Sequence, residues 1–137
     1  NDHPALPDGP VGTYQEVIAE LIRAGVAESG CMMNVVTGEV DRGPAVSFCR
    51  YGIRDAGNAR LWAELPVERA LAMSFEEILG TELYADIRRR GVERERPFLV
   101  ETLRAIAEGR LAVPPAVPLD LTEAVEGVLA GGDGAVY

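Results

Sequence analysis

The sequence predicts an α+β domain: an N-terminal helix, one small antiparallel hairpin or sheet, then several helices packed on it. Three observations carry that expectation. Thr13 with Glu16 and Ser74 with Glu77 have capping-box spacing, and each opens an apolar stripe of helical period. Residues 31–37 and 45–51 are β-branched, aromatic and sulfur-bearing, and a Gly- and Pro-containing connection separates them. The 137 residues amount to about one domain of chain. An apolar fraction of 47% is ordinary globular composition and excludes wholesale disorder.

Taken in order, residues 1–12 read as an irregular arm, because Pro4, Pro7, Pro10 and two glycines break any ladder. The Thr13 cap opens a helix with Tyr14, Val17, Ile18, Leu21, Ile22 and Gly25 on one stripe, ending near Ser29 and Gly30. In the hairpin, pairing Val35 with Val46 and Met33 with Phe48 gathers four apolar side chains on one face. That register places Cys31 and Cys49 on opposite faces. It also groups Asn34, Ser47 and Tyr51 on a wet or partner-facing side.

Beyond Tyr51 the chain turns helical. Short helices are expected at 55–63 and 67–73, and a longer one runs from the Ser74 cap to Arg90 and Gly91 on Phe75, Ile78, Leu79, Leu83 and Ile87. Pro97 starts another, with Phe98, Leu99, Leu103 and Ile106 inward and Gly109 closing it. Three prolines within 113–118 impose an extended segment. Asp120 or Thr122 caps a last short helix through Leu129. The domain is thus expected at 13–130, followed by a Gly-rich tail at 131–137. A lone two-stranded hairpin is marginal, so helices, further strands or a partner chain must cover it.

Charge narrows function. The formal net charge is −9, with seven acids against Arg23 in residues 1–41, twelve arginines against eleven acids in 42–110, and four acids with no base thereafter. Acidic ends repel phosphate backbones, so no nucleic-acid partner is expected. No apolar run is long enough to span a membrane, and the N-terminus lacks the features of a signal peptide, so a cytoplasmic protein without membrane attachment is expected. Every basic residue is Arg, a usage typical of a high-GC bacterial genome. The lack of Lys removes Schiff-base chemistry and the P-loop.

Candidate chemical groups are few. Cys31 and Cys49 have neither Cys-x-x-Cys spacing nor a zinc complement and read as buried hydrophobes. His3 is the only histidine. Asn1-Asp2-His3 has a copper- or nickel-binding pattern only if Asn1 is the true terminus; neither a metal nor a cofactor is expected. Arg88, Arg89 and Arg90 are the one basic concentration, a candidate anion site weighed against simple complementation of a helix C-terminus. Glu39 and Asp41 lie on the hairpin loop, and the aromatics Trp62, Phe48, Phe75, Phe98, Tyr14 and Tyr84 read mainly as core.

The function expected is a non-catalytic protein-binding or self-associating module, with a homodimer the commonest closed assembly. The alternative is a small-molecule-binding protein or modest enzyme whose pocket lies between hairpin and helices, using Asn34, Ser47, Arg50 and Tyr51 with Glu39 or Asp41 at the rim. A third expectation, an acidic mimic docking on a basic protein surface, predicts salt-sensitive affinity.

Overall fold

A computed structural model describes residues 1–40 and 42–131; Asp41 and most of the expected tail lie outside the described residues. The chain is α+β. In order it forms β1 (Asp2–His3), α1 (Tyr14–Ala24), β2 (Glu28–Asn34), β3 (Ala45–Gly52), α2 (Ala59–Glu64), α3 (Val67–Ala72), α4 (Phe75–Leu79), α5 (Glu82–Ala107), β4 (Leu119–Asp120) and α6 (Thr122–Ala130). The helix expected first is therefore preceded by a strand. The strands form one mixed sheet in the order β1-β2-β3-β4, with β4 parallel to β3 and the other pairs antiparallel.

The expected capping boxes at Thr13 and Ser74 are both present. α1 ends sooner than the stripe suggests, because Gly25 takes the left-handed conformation at φ 66° and accepts the C-cap role. A Cβ there would also come within 2.7 Å of Val67 Cγ2. α4 stops at Gly80, and Thr81 caps a new helix by accepting from the Tyr84 amide. That helix, α5, then continues for 26 residues through both expected breaks, Gly91 and Pro97. Tertiary packing overrides the local punctuation. Gly91 is where α5 crosses the sheet, since a Cβ at that position would lie 2.8 Å from Tyr51 Oη. Pro97 forfeits one helical hydrogen bond and is buried beside Phe98.

The hairpin register is one residue from that expected. Cys31 opposes Cys49, Met32 opposes Phe48 and Met33 opposes Ser47, and the ladder shifts between Met33 and Asn34, which opposes Ala45. A slip of one residue exchanges faces. Cys31, Cys49, Ser47 and Tyr51 therefore face α5 and α6, whereas Phe48 and Arg50 lie on the other side with the N-terminal arm. The extra residue has a reason. It keeps Val46 inward, against Ala105 and Leu111, in a small cluster that Val35 also joins. Val35 and Val46 thus share a cluster as expected, but Met33 and Phe48 are not partners.

The main core gathers α1, the inner sheet face, α5 and α6 around Val17, Ile22, Ile53, Ile78, Leu83, Ile87, Phe98 and Val125. Its polar groups are paired: Ser47 Oγ lies 2.8 Å from Thr102 Oγ1, and the Trp62 indole and Asn58 amide both donate to the Ile53 carbonyl, at 2.7 and 2.8 Å. No helix among the described residues is long and apolar enough to cross a membrane.

Candidate functional site

Of the four residues expected to line a pocket, Arg50 and Tyr51 meet at a shallow pocket with Arg94, Thr122 and Glu126, whereas Asn34 and Ser47 lie elsewhere. Asn34 is buried at the β1 edge, its side-chain oxygen accepting from Asn1 Nδ2 at 2.9 Å. Ser47 is buried under α5. Tyr51 is buried too, with the Arg94 guanidinium 4.9 Å from its ring centroid, and that burial pushes its phenol well above its ordinary range. Only Arg50 is exposed, lying over the Phe48 ring at 5.3 Å with Glu28 at 3.5 Å. The face expected to be wet is the face the helices cover, because the register places it there.

The three consecutive arginines sit mid-helix in α5, so they do not complement a helix C-terminus. Each already holds carboxylates of the chain. Arg88 donates to Glu95 at 2.9 Å and covers the Tyr14 ring, and Arg89 bridges Asp86 at 2.8 Å and Glu93 at 2.7 Å. Arg90 pairs with Asp86 of its own helix at 2.9 Å and ties α5 to the end of β3 through the Gly52 carbonyl at 3.1 Å and to the β3–α2 connection through Asp55. The Arg90 hydrogen bond holds the Asp55 carboxyl below the usual range. Burial raises Asp86, but hydrogen bonds from Asn58, Arg89 and Arg90 outweigh it and the net direction is down.

Carboxyls with depressed pKa values in the folded state add stability that is present above the unfolded value of about 3.9 and is lost as pH falls through the folded values. Urea unfolding between pH 7 and roughly 3 should therefore show an acid-side decline that Arg90→Met flattens. An unchanged acid limb in that variant would remove the linkage assigned to Arg90.

His3 is buried in β1, its Nε2 2.9 Å from the Pro10 carbonyl. Glu39 is exposed on the hairpin loop. Among the described residues no group of three or more His, Cys, Asp or Glu side chains is arranged to hold a metal ion.

Two further surface features lie on α5 and on the outer side of the sheet. α5 is apolar on two sides. Its inner row, Leu83, Ile87, Gly91, Phe98, Thr102 and Ala105, is buried. Successive residues turn by about 100°, which puts Val92, Leu99, Leu103 and Ile106 in a second row about a third of a turn away. These side chains are 47%, 43%, 57% and 40% exposed. The sequence expectation had Leu99, Leu103 and Ile106 inward; only Phe98 of that group is. With Arg96, the outer row repeats at intervals of four, three, four and three residues, the spacing of a coiled-coil seam.

The second feature is a groove of about 520 Å³ on the outer side of the sheet, bounded by the arm at Leu6, Pro7 and Asp8, by Glu20, Leu21 and Ala24 of α1, and by Glu28, Phe48 and Arg50. Beside it the arm packs on the bare backbone of Gly30, where a Cβ would meet Leu6 Cδ2 at 2.5 Å.

No family model, curated protein or solved structure matches this chain. The functional reading therefore rests on these two surfaces and their chemistry.

Proposed function

We propose that this chain is a self-associating module that forms a two-fold dimer through the outer row of α5. The single observation that carries the reading is the row itself: four large aliphatic side chains, each about half exposed, in line along one helix at seam spacing. The occupant that suits it is a second copy in antiparallel orientation. Parallel pairing would set Arg96 against Arg96, placing like charges together in the seam. Antiparallel pairing about Leu99 offsets them. Glu93 and Arg104 lie on the same flank of the row about three turns apart, so the antiparallel arrangement also brings Glu93 of one copy toward Arg104 of the other, twice.

Magnitudes point to a weak assembly. Completing the burial of eight half-exposed aliphatic side chains is worth about 6–12 kcal/mol at roughly 1.5–3 kcal/mol for full burial of each. Association costs about 4–15 kcal/mol in lost freedom. The dimer is therefore concentration-dependent, on the order of micromolar or weaker. Native mass spectrometry over a dilution series should show whole-number multiples of the 14.7 kDa chain giving way to monomer. A monomer at the highest concentrations would remove the reading.

The groove favours a second reading, a small-molecule site, since its size falls within the roughly 300–1,000 Å³ of known ligand sites. Its apolar walls carry Asp8, Glu20 and Glu28 against Arg50, so an apolar organic cation suits it better than an acid. Titration with a short-chain alkylammonium should perturb the amide resonances of Leu6, Ala24 and Phe48 selectively. No perturbation at millimolar probe would exclude this ligand class.

A further inference from the structure

Cys31 and Cys49 are direct cross-strand partners in the β2–β3 ladder, so their side chains leave the sheet on the same face. Each is 1% exposed, and each carries a free thiol. Opposed residues in an antiparallel pair hold their Cα atoms about 4.5–5.5 Å apart, within the roughly 4.4–6.8 Å that a disulfide spans. Their Cβ atoms start about 4.5–5.5 Å apart, against about 3.5–4.5 Å in a disulfide. Closure thus needs a local tightening of the ladder and no change of register.

We infer that Cys31 and Cys49 form a dithiol site for small peroxides that closes to a cross-strand disulfide. The two sulfurs are not equivalent. Arg94 is seated over the Tyr51 ring, two residues along β3 on the face that carries Cys49; the interaction with Cys31, aided by that guanidinium, holds the Cys49 thiol below its ordinary value, whereas the interaction with Cys49 and burial push Cys31 far above its own. Cys49 is thereby the attacking sulfur, since the thiolate is the nucleophile, and Cys31 resolves.

In the first step the Cys49 thiolate bonds to one peroxide oxygen and the O–O bond breaks. The departing hydroxide leaves as water with the proton Cys49 gave up, and Cys49 becomes a sulfenic acid. Cys31 then attacks the Cys49 sulfur; the S–S bond forms, the S–O bond breaks, and the hydroxyl leaves as water with the Cys31 proton. Two thiols and one hydrogen peroxide become one disulfide and two waters. Burial selects the oxidant: hydrogen peroxide is close to water in size, whereas a tripeptide disulfide cannot reach sulfurs under α5 in the folded chain.

The test uses the reduced full chain, treated in parallel with hydrogen peroxide and with oxidised glutathione, then alkylated under denaturing conditions and weighed intact. Peroxide should remove two hydrogens, block both alkylations, give a peptide pair cross-linked between positions 31 and 49, and reverse with a dithiol reductant. Oxidised glutathione should leave both thiols alkylatable. Cys31→Ala should leave Cys49 as a sulfenic acid that a cyclic 1,3-dione traps, and Cys49→Ala should leave Cys31 unmodified at the same dose. Retention of both thiols, addition of oxygen without loss of the two hydrogens, or equal reaction with glutathione would overturn the inference. The wild-type masses decide it even where a variant fails to fold.

Discussion

Leu99→Asp combined with Leu103→Asp is expected to hold the chain as a monomer at every accessible concentration while leaving its urea midpoint nearly unchanged. Both side chains are about half exposed and belong to neither core cluster. Surface substitutions of that kind usually alter folding stability by less than about 0.5 kcal/mol. Association responds differently, because two-fold symmetry counts each substitution twice. Four leucines lose the remaining half of their burial, about 3–6 kcal/mol, which weakens the dimer by roughly two to four orders of magnitude before any cost of placing carboxylates in an apolar seam. Val117→Asp is the matched control, an exposed apolar residue outside the row. Sedimentation velocity on the three proteins reads the difference. Equal association in the double variant, or equal loss in the control, would detach assembly from α5.

The largest effect on stability is expected from Phe98→Ala. Phe98 is fully buried in the main cluster, on the inner row of α5 where that helix crosses the sheet. Truncating a buried phenylalanine costs about 3–5 kcal/mol, as lost transfer energy plus the cavity left behind. For a chain of this length that lowers Tm by roughly 10–20 °C. Calorimetry at matched concentration separates this effect from any change in assembly. A loss under about 1 kcal/mol would mean that α5 does not pack on the sheet along this row.

The parts of the fold that local chemistry specifies were readable from the sequence. The caps at Thr13 and Ser74 depend on residues three apart, and the presence of a hairpin depends on composition either side of a loop. Parts set by distant contacts were not readable. β1 and β4 are two residues each, too short for any period, and exist because β2 and β3 offer edges to pair with. Gly91 has the look of a helix stop, yet it is required by Tyr51 across the sheet.

The candidate surfaces were hidden by the same ambiguity. Leu99, Leu103 and Ile106 have the spacing of a core face, and nothing local reveals that Thr102 and Ala105 take the inner positions instead. Thr102 goes inward because Ser47 meets its hydroxyl there. Apolar pairing alone does not fix the register of a hairpin whose two faces are both partly covered. Arg50, one of the four residues expected to bind ligand, does line the groove; Asn34, Ser47 and Tyr51 do not.

A methyl-resolved NMR dilution series on the wild-type chain reports both whether copies meet and where. The methyls of Val92, Leu99, Leu103 and Ile106 are expected to shift together with concentration, while those of Leu83 and Ile87 on the inner row of the same helix stay fixed. Concentration-independent spectra, or shifts centred on the Leu6 and Leu21 methyls of the groove, would contradict dimerisation through the outer row of α5.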